Sequence, residues 1–267
     1  MRGRGTARRA VARPLRTALD RAGYDVVRKG RDQTPLWATP WDADEFARQT
    51  IEATRGYTLT PPDRIMGLID AVRYVVRAGI EGDIAECGVW RGGSMMIVAR
   101  TLIDEGDTSR RLHLYDTFEY MPPAEDRDVD FNGYPALKVY GPEVQALEAY
   151  GYLPQDEVER AMRETGYPAD KLGFVKGLVE DTLPGQAPET LALARLDTDL
   201  YRSTKHELEC LYPRIAEGGV LIIDDYGHFL GARDAVDEYF AEQGITVLLN
   251  RMDYSGRLVI KGSGPQR

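Results

Sequence analysis

The chain is 267 residues long, 43% hydrophobic and 29% charged, enough to bury one large α/β core with attachments. Its formal net charge of −9 argues against wholesale nucleic-acid binding, and no apolar run reaches the ~18 residues of a membrane-spanning helix. Cys87 and Cys210 stand far apart in apolar surroundings, which reads as buried thiols of a reducing cytoplasm; no Cys and His cluster offers a metal site.

Residues 1–31 depart from that balance, with basic side chains from Arg2 to Arg31 against only Asp20 and Asp25. This reads as a solvated arm, partly helical over residues 15–22, in preference to a targeting peptide. Such an arm packs on its own domain or on a second subunit, so a homo-oligomer is expected. From Trp37 to Pro62 prolines and aromatics break the chain into a cap, with a short helix at residues 42–54. Asp63, after two prolines, reads as the N-cap of an amphipathic helix that buries Ile65, Leu68, Ile69, Val72, Val75 and Val76 and ends at Gly79.

The organising stretch is residues 83–94, D-I-A-E-C-G-V-W-R-G-G-S. An apolar run ending in Glu86 and Cys87 passes through Gly88, Gly92 and Gly93 into a helix starting at Ser94. In open α/β sheets this first turn is where a nucleotide-like cofactor lies, because glycines admit it to the backbone and the helix start offers free N–H groups. Trp90 stands where the dinucleotide fingerprint needs its second glycine, which disfavours a nicotinamide or flavin. The looser pattern, with Glu86 ahead of the turn, is the kind methyltransferases use for S-adenosylmethionine. Glycines that merely close a turn are the plainer alternative.

Residues 111–116 form a second strand ending in Asp116, placed either to accept both ribose hydroxyl hydrogens or to cap a turn. The span 117–155 carries Phe118, Tyr120, Phe131, Tyr134, Tyr140, Tyr150 and Tyr152 among prolines and acids and reads as a lid. A helix follows over residues 154–165, with Asp156 and Glu157 in its first turn, then strands at 173–176 and 191–196. Thr204 and Glu207 read as the capping box of a helix that buries Leu208, Leu211, Tyr212 and Ile215 and stops at Gly218 and Gly219. Residues 220–223 form another buried strand, 233–243 a helix, and 245–251 with 257–261 a hairpin across Ser255 and Gly256. This alternation predicts an α/β fold with a seven-stranded, doubly wound sheet, helices on both faces and the last strand antiparallel. Residues 1–62 form the arm and cap, and 63–267 the main domain with the lid at 117–155.

Three carboxylates, Asp197, Asp224 and Asp225, fall at the C-terminal ends of two successive core strands, the edge where ligands bind. Two adjacent aspartates after an apolar run need something positive beside them. Mg²⁺, which takes oxygen ligands, is the natural candidate; capping the next helix is the alternative. Asp199 reads as a structural acid, and His228 as either a rim or a site residue.

The segments G-D-I-A-E-C-G-V-W-R-G-G-S, L-Y-D-T-F-E, V-K-G-L-V-E-D-T-L-P, L-A-R-L-D-T-D-L-Y-R-S-T and G-G-V-L-I-I-D-D-Y-G-H lie in this order within residues 57–262. Together they resemble the macrocin O-methyltransferase family. The resemblance implies a Rossmann-like class I S-adenosylmethionine-dependent methyltransferase domain at 63–267. It also implies Mg²⁺-dependent methylation of a deoxysugar hydroxyl on a small-molecule glycoside, a natural product such as an antibiotic. Metal ligands are implied at Asp197, Asp224 and Asp225, and cofactor contacts at Thr58, Glu86, Gly88, Ser94, Asp116, Thr117, Gly177 and Asp181. The Tyr-rich insertion and the Arg-rich start match the family poorly, which leaves the acceptor open. Catechol methyltransferases carry a lysine where Leu200 stands, so a sugar is expected over a catechol or other phenol. Asp197 is then the first choice of base for the hydroxyl proton, with Glu157 and His228 as alternatives. A silent binding protein of the same fold and an oxidoreductase are the rival readings.

Overall fold

The apolar runs expected as strands build one seven-stranded sheet in the computed structural model, which describes residues 38–136 and 154–262. The arm at 1–31, Trp37, and the part of the lid that carries Tyr140, Tyr150 and Tyr152 lie outside the described residues. The strands are β1 (Asp83–Cys87), β2 (Leu112–Asp116), β3 (Leu172–Lys176), β4 (Leu191–Leu196), β5 (Ile215–Ile223), β6 (Asn250–Arg251) and β7 (Arg257–Ile260). They lie in the order β3-β2-β1-β4-β5-β7-β6. The first five run parallel, and β7 enters antiparallel between β5 and β6. The chain therefore builds outward from β1 to β3 and crosses back to set β4 beside β1. That reversal opens a crevice at the carboxyl ends of those two strands.

Successive strand residues point to opposite faces, so Ile84, Leu114, Leu193 and Ile222 feed one core while Ala85, Tyr115, Ala194 and Leu221 feed the other. The first core is covered by helices α1 (Glu45–Thr54), α2 (Pro62–Arg77), α3 (Gly93–Asp104) and α4 (Gln155–Glu164). The second is covered by α5 (Val179–Thr182), α6 (Tyr201–Leu211) and α7 (Leu230–Glu242). Among the described residues no helix is long and apolar enough to cross a membrane, and both cysteines are buried free thiols.

Helix α1 opens on Asp44, whose carboxylate accepts the Ala47 N–H at 2.8 Å. That hydrogen bond, opposed by partial burial and helped by Arg73, holds the Asp44 carboxyl below its ordinary value. Its contribution is complete above the unfolded carboxyl pKa of about 3.9 and fades as pH falls through the lower folded value. Asp44→Ala is expected to lower the unfolding free energy by ~1 kcal/mol. A urea midpoint unchanged from wild type would show that the cap contributes nothing.

Four local expectations are corrected. Helix α2 begins at Pro62, with Pro61 in the N-cap position and no side-chain cap bond, so Asp63 is a first-turn acid and not the cap. Proline starts the helix because its φ is already helical and its missing N–H is not needed there. Helix α6 begins at Tyr201, three residues before the expected capping box. Glu207 is fully buried and accepts the Thr198 hydroxyl at 2.9 Å, while the Tyr201 N–H is capped from far along the chain by Asp128 at 2.8 Å. Finally, α6 ends in a turn at Tyr212–Arg214, and Ile215, Gly218 and Gly219 belong to β5. A Cβ on Gly219 would lie 2.8 Å from the Ala216 carbonyl and 3.0 Å from that of Ala192, so the close approach of β4 and β5 requires glycine there. The hairpin expected at 245–251 is shorter: only Asn250–Arg251 pairs, while Ile245, Val247 and Leu249 pack on the second core.

Candidate active site

The glycine turn and the end of β2 are tied together by one carboxylate. Asp116 Oδ2 accepts the Val89 and Trp90 N–H groups at 2.7 and 2.8 Å, and Oδ1 accepts the Phe118 N–H at 2.7 Å. Burial pushes the Asp116 carboxyl up, and those three N–H groups pull it back. Gly88 has φ +83°, and a Cβ there would sit 2.0 Å from the Asp197 carbonyl. The first turn thus lies directly against the end of β4. Above it the Gly93 N–H donates to the Tyr57 carbonyl at 3.0 Å, so the segment before α2 closes over the turn.

Between these walls lies a cavity of about 350 Å³. Thr58, Gly88, Ser94, Asp116, Thr117 and Gly177 line it, as do Asp197, Asp224, Asp225 and His228. Three other expected residues do not reach it. Glu86 is 1% exposed and turned to the guanidinium of Arg195, whose Nη1 donates at 2.5 Å. Burial raises its carboxyl to about 7 in spite of Arg195. Asp181 is exposed on α5, and its neighbour Glu180 lines the cavity instead. Glu157 pairs with Arg160 at 3.6 Å on the outer side of α4, because helical spacing turns the adjacent Val158 inward toward Gly92.

The acids at the ends of β4 and β5 divide differently from expectation. Asp197, Asp199 and Asp225 each place one carboxylate oxygen within 4.8 Å of the others. Asp224 instead gives one oxygen to Arg64 and the other to Arg195. Asp199, expected as a structural acid, is thus the third member of the cluster, held at φ +66°. Arg195 Nη1 also reaches Asp197 at 2.5 Å, and its Nη2 reaches the Thr60 hydroxyl at 3.2 Å. Arg64 continues to Asp253 at 3.0 and 2.9 Å. Sequence reasoning missed both arginines. Their signal was present: Arg195 interrupts the apolar strand L-A-L-A-R-L, and Arg64 stands one helical turn before Leu68 on the buried face of α2.

Burial pushes the Asp197 carboxyl well up despite Arg195, with Asp224 and Asp225 adding to it. Asp225 rises for the same first reason, reinforced by Asp199 and Asp224. In Asp224 burial also raises the carboxyl, but Arg195 and Arg64 outweigh it and hold it below the ordinary value. Asp225 Oδ2 is buried without a hydrogen-bond partner. An oxygen-only donor set with an orphaned buried carboxylate oxygen fits a hard divalent cation such as Mg²⁺. The glycine turn fits an elongated cofactor, since its backbone is open to the cavity and a helix begins beside it.

A parallel sheet with one antiparallel insertion, a glycine turn after β1 and an acid closing β2 over that turn define a class I S-adenosylmethionine-dependent methyltransferase. Residues 17–260 match the family described as macrocin-O-methyltransferase (TylF), and the chain belongs to it. It is 37% identical, over 86% of its own length and 85% of the relative's, to the 8-demethyl-8-(2,3-dimethoxy-alpha-L-rhamnosyl)-tetracenomycin-C 4'-O-methyltransferase of Streptomyces olivaceus. It is 33% identical to the mycinamicin III 3''-O-methyltransferase of Micromonospora griseorubida, over 79% of this chain and 82% of that one. The solved structure of the O-methyltransferase NovP matches with a TM-score of 0.66 at 31% identity, covering 77% of this chain and 82% of NovP. The chain is therefore an O-methyltransferase, and the oxidoreductase and silent binding readings fall away.

Proposed function

We propose that this enzyme moves the methyl group of S-adenosylmethionine to a deoxysugar hydroxyl of a glycosylated natural product, with Mg²⁺ beside the reacting oxygens. The observation that carries the reading is the cluster of three converging carboxylates, one with an orphaned buried Asp225 oxygen, in the same cavity as the glycine turn. The relatives' names support the sugar acceptor, since one acts on a rhamnosyl-tetracenomycin.

Thr58, Gly88, Ser94, Thr117 and Gly177 face the cofactor in this reading, with Asp116 at the ribose. Asp116 already accepts three amides and, at 3.5 Å, the Thr117 hydroxyl, so a ribose hydroxyl would displace that long Thr117 contact. Asp116→Ala is expected to weaken S-adenosylhomocysteine binding at least ~tenfold, since charge-assisted hydrogen bonds are lost. Calorimetry on the folded variant checks it; unchanged affinity would move the ribose elsewhere.

When bound, the ion supplies orientation of neighbouring sugar oxygens and acidity of the reacting hydroxyl. Asp197 and Asp225 would hold it. The third carboxylate is Asp199 as long as Arg64 keeps Asp224. Asp197, whose carboxylate lines the cavity beside the glycine turn, takes the hydroxyl proton. His228 is the alternative acceptor in the cavity, held neutral because burial lowers its pKa. In this reading the described residues 117–136 belong to a lid on the acceptor side and pack through buried Phe118, Asp128 and Ala136. We place the enzyme in the cytoplasm as a homo-oligomer, which light scattering tests. The activity itself is tested by release of S-adenosylhomocysteine from a panel of rhamnosides with and without Mg²⁺. Cofactor binding with no turnover of any glycoside would refute the reading.

A further inference from the structure

Three rings from three separate segments meet at the acid end of the cavity. Phe131 lies 5.6 Å from His228 and 6.5 Å from Tyr254, and those two lie 5.9 Å apart. All three pairs are edge-to-face, with interplanar angles of 68°, 74° and 81°. The Tyr254 hydroxyl and His228 Nδ1 are 3.2 Å apart, which fixes those two rings to each other. Yet Phe131 and Tyr254 are each 55% exposed, so the cluster is no part of a core.

Two of the rings are held in hydrogen-bonded turns. Phe131 is held in a turn whose Asp130 carboxylate accepts the Asn132 and Tyr134 N–H groups at 2.8 Å, and Asp130 bridges to the backbone of Phe229, next to His228. Tyr254 sits in a turn whose Asp253 carboxylate accepts the Ser255 and Gly256 N–H groups at 2.9 and 2.6 Å and is pinned by Arg64. Apolar surface that is exposed and already ordered binds a ring with little loss of side-chain freedom.

Position selects the occupant. His228 and Tyr254 line the cavity together with Asp225, whereas Phe131 does not line it and lies one ring farther out. The hydroxyl that reacts must lie at the acids. What reaches Phe131 is then the part of the acceptor remote from that hydroxyl. We propose that Phe131, His228 and Tyr254 form the aglycone subsite, a platform for a flat, apolar ring system joined to the sugar that is methylated. This assignment rests on the glycoside reading above.

The test compares 4-nitrophenyl rhamnoside with methyl rhamnoside, which lacks the ring. Wild-type enzyme is expected to prefer the aryl glycoside in kcat/KM, mainly through KM. Phe131→Ala should cut that preference about tenfold, an ordinary loss for one aromatic contact, and Phe131→Tyr should keep it. Calorimetry with S-adenosylhomocysteine present should show the same loss in aryl glycoside affinity, independent of turnover. A preference that survives Phe131→Ala in a variant with native circular dichroism would overturn the subsite while leaving the methyltransferase reading intact. Failure of wild-type enzyme to methylate any glycoside would remove both.

Discussion

Removal of divalent cations with EDTA is expected to abolish methyl transfer and added Mg²⁺ to restore it, while S-adenosylmethionine still binds at the glycine turn. Acids outnumber their positive partners where β4 and β5 end. Among the described residues, Arg64 and Arg195 pair with Asp224, Asp253, Glu86 and Asp197, while Asp225 pairs with neither. Both arginines are engaged by Asp224, which leaves Asp225 without one. Asp197→Asn is expected to be the most damaging substitution, lowering kcat by roughly 10²–10⁴, because it removes a ligand charge and the proposed base together. Asp225→Asn and Asp199→Asn should weaken metal affinity, and excess Mg²⁺ should partly rescue them. Asp224→Asn separates the two ligand sets: a loss of stability with metal affinity kept favours Asp199 as third ligand, and a loss of metal affinity restores Asp224 to that place. Full turnover after exhaustive chelation would make the carboxylates structural.

Arg195→Met is expected to destabilise the fold by ~3–5 kcal/mol, since it leaves Glu86 and Asp224 buried beside a missing partner. In a domain of this size that corresponds to a fall in Tm of roughly 6–20 °C. The pH dependence follows from Glu86. Its folded pKa of about 7 lies above the unfolded carboxyl value, so the folded state binds the proton more tightly. That contribution is fully present below the unfolded value, about 4.3, and is lost as pH rises toward 7. Without Arg195 the Glu86 carboxyl should rise further, and the decline should extend to higher pH. Urea titrations across this range read both effects; a variant as stable as wild type would show the network to be dispensable.

The residues alone determined the order of elements, the crevice and its two ends. Apolar runs named β1, β4 and β5; the glycines after Cys87 named the cofactor turn; acids at strand ends named the chemical edge. These are local signals, because hydrophobic period and turn chemistry act over a few residues. Only the tertiary structure decided which side chains meet. Arg195 finds Glu86 across 109 residues and Arg64 finds Asp224 across 160, so the positive partners of the acids could not be paired from spacing. The strand pleat turned Glu86 away from the cavity, and the helix face turned Glu157 outward while Val158 went in. Asp128 capped α6 from 73 residues away and displaced the local capping box. Each of these depends on how two distant surfaces pack, a long-range free energy that no short stretch of sequence carries.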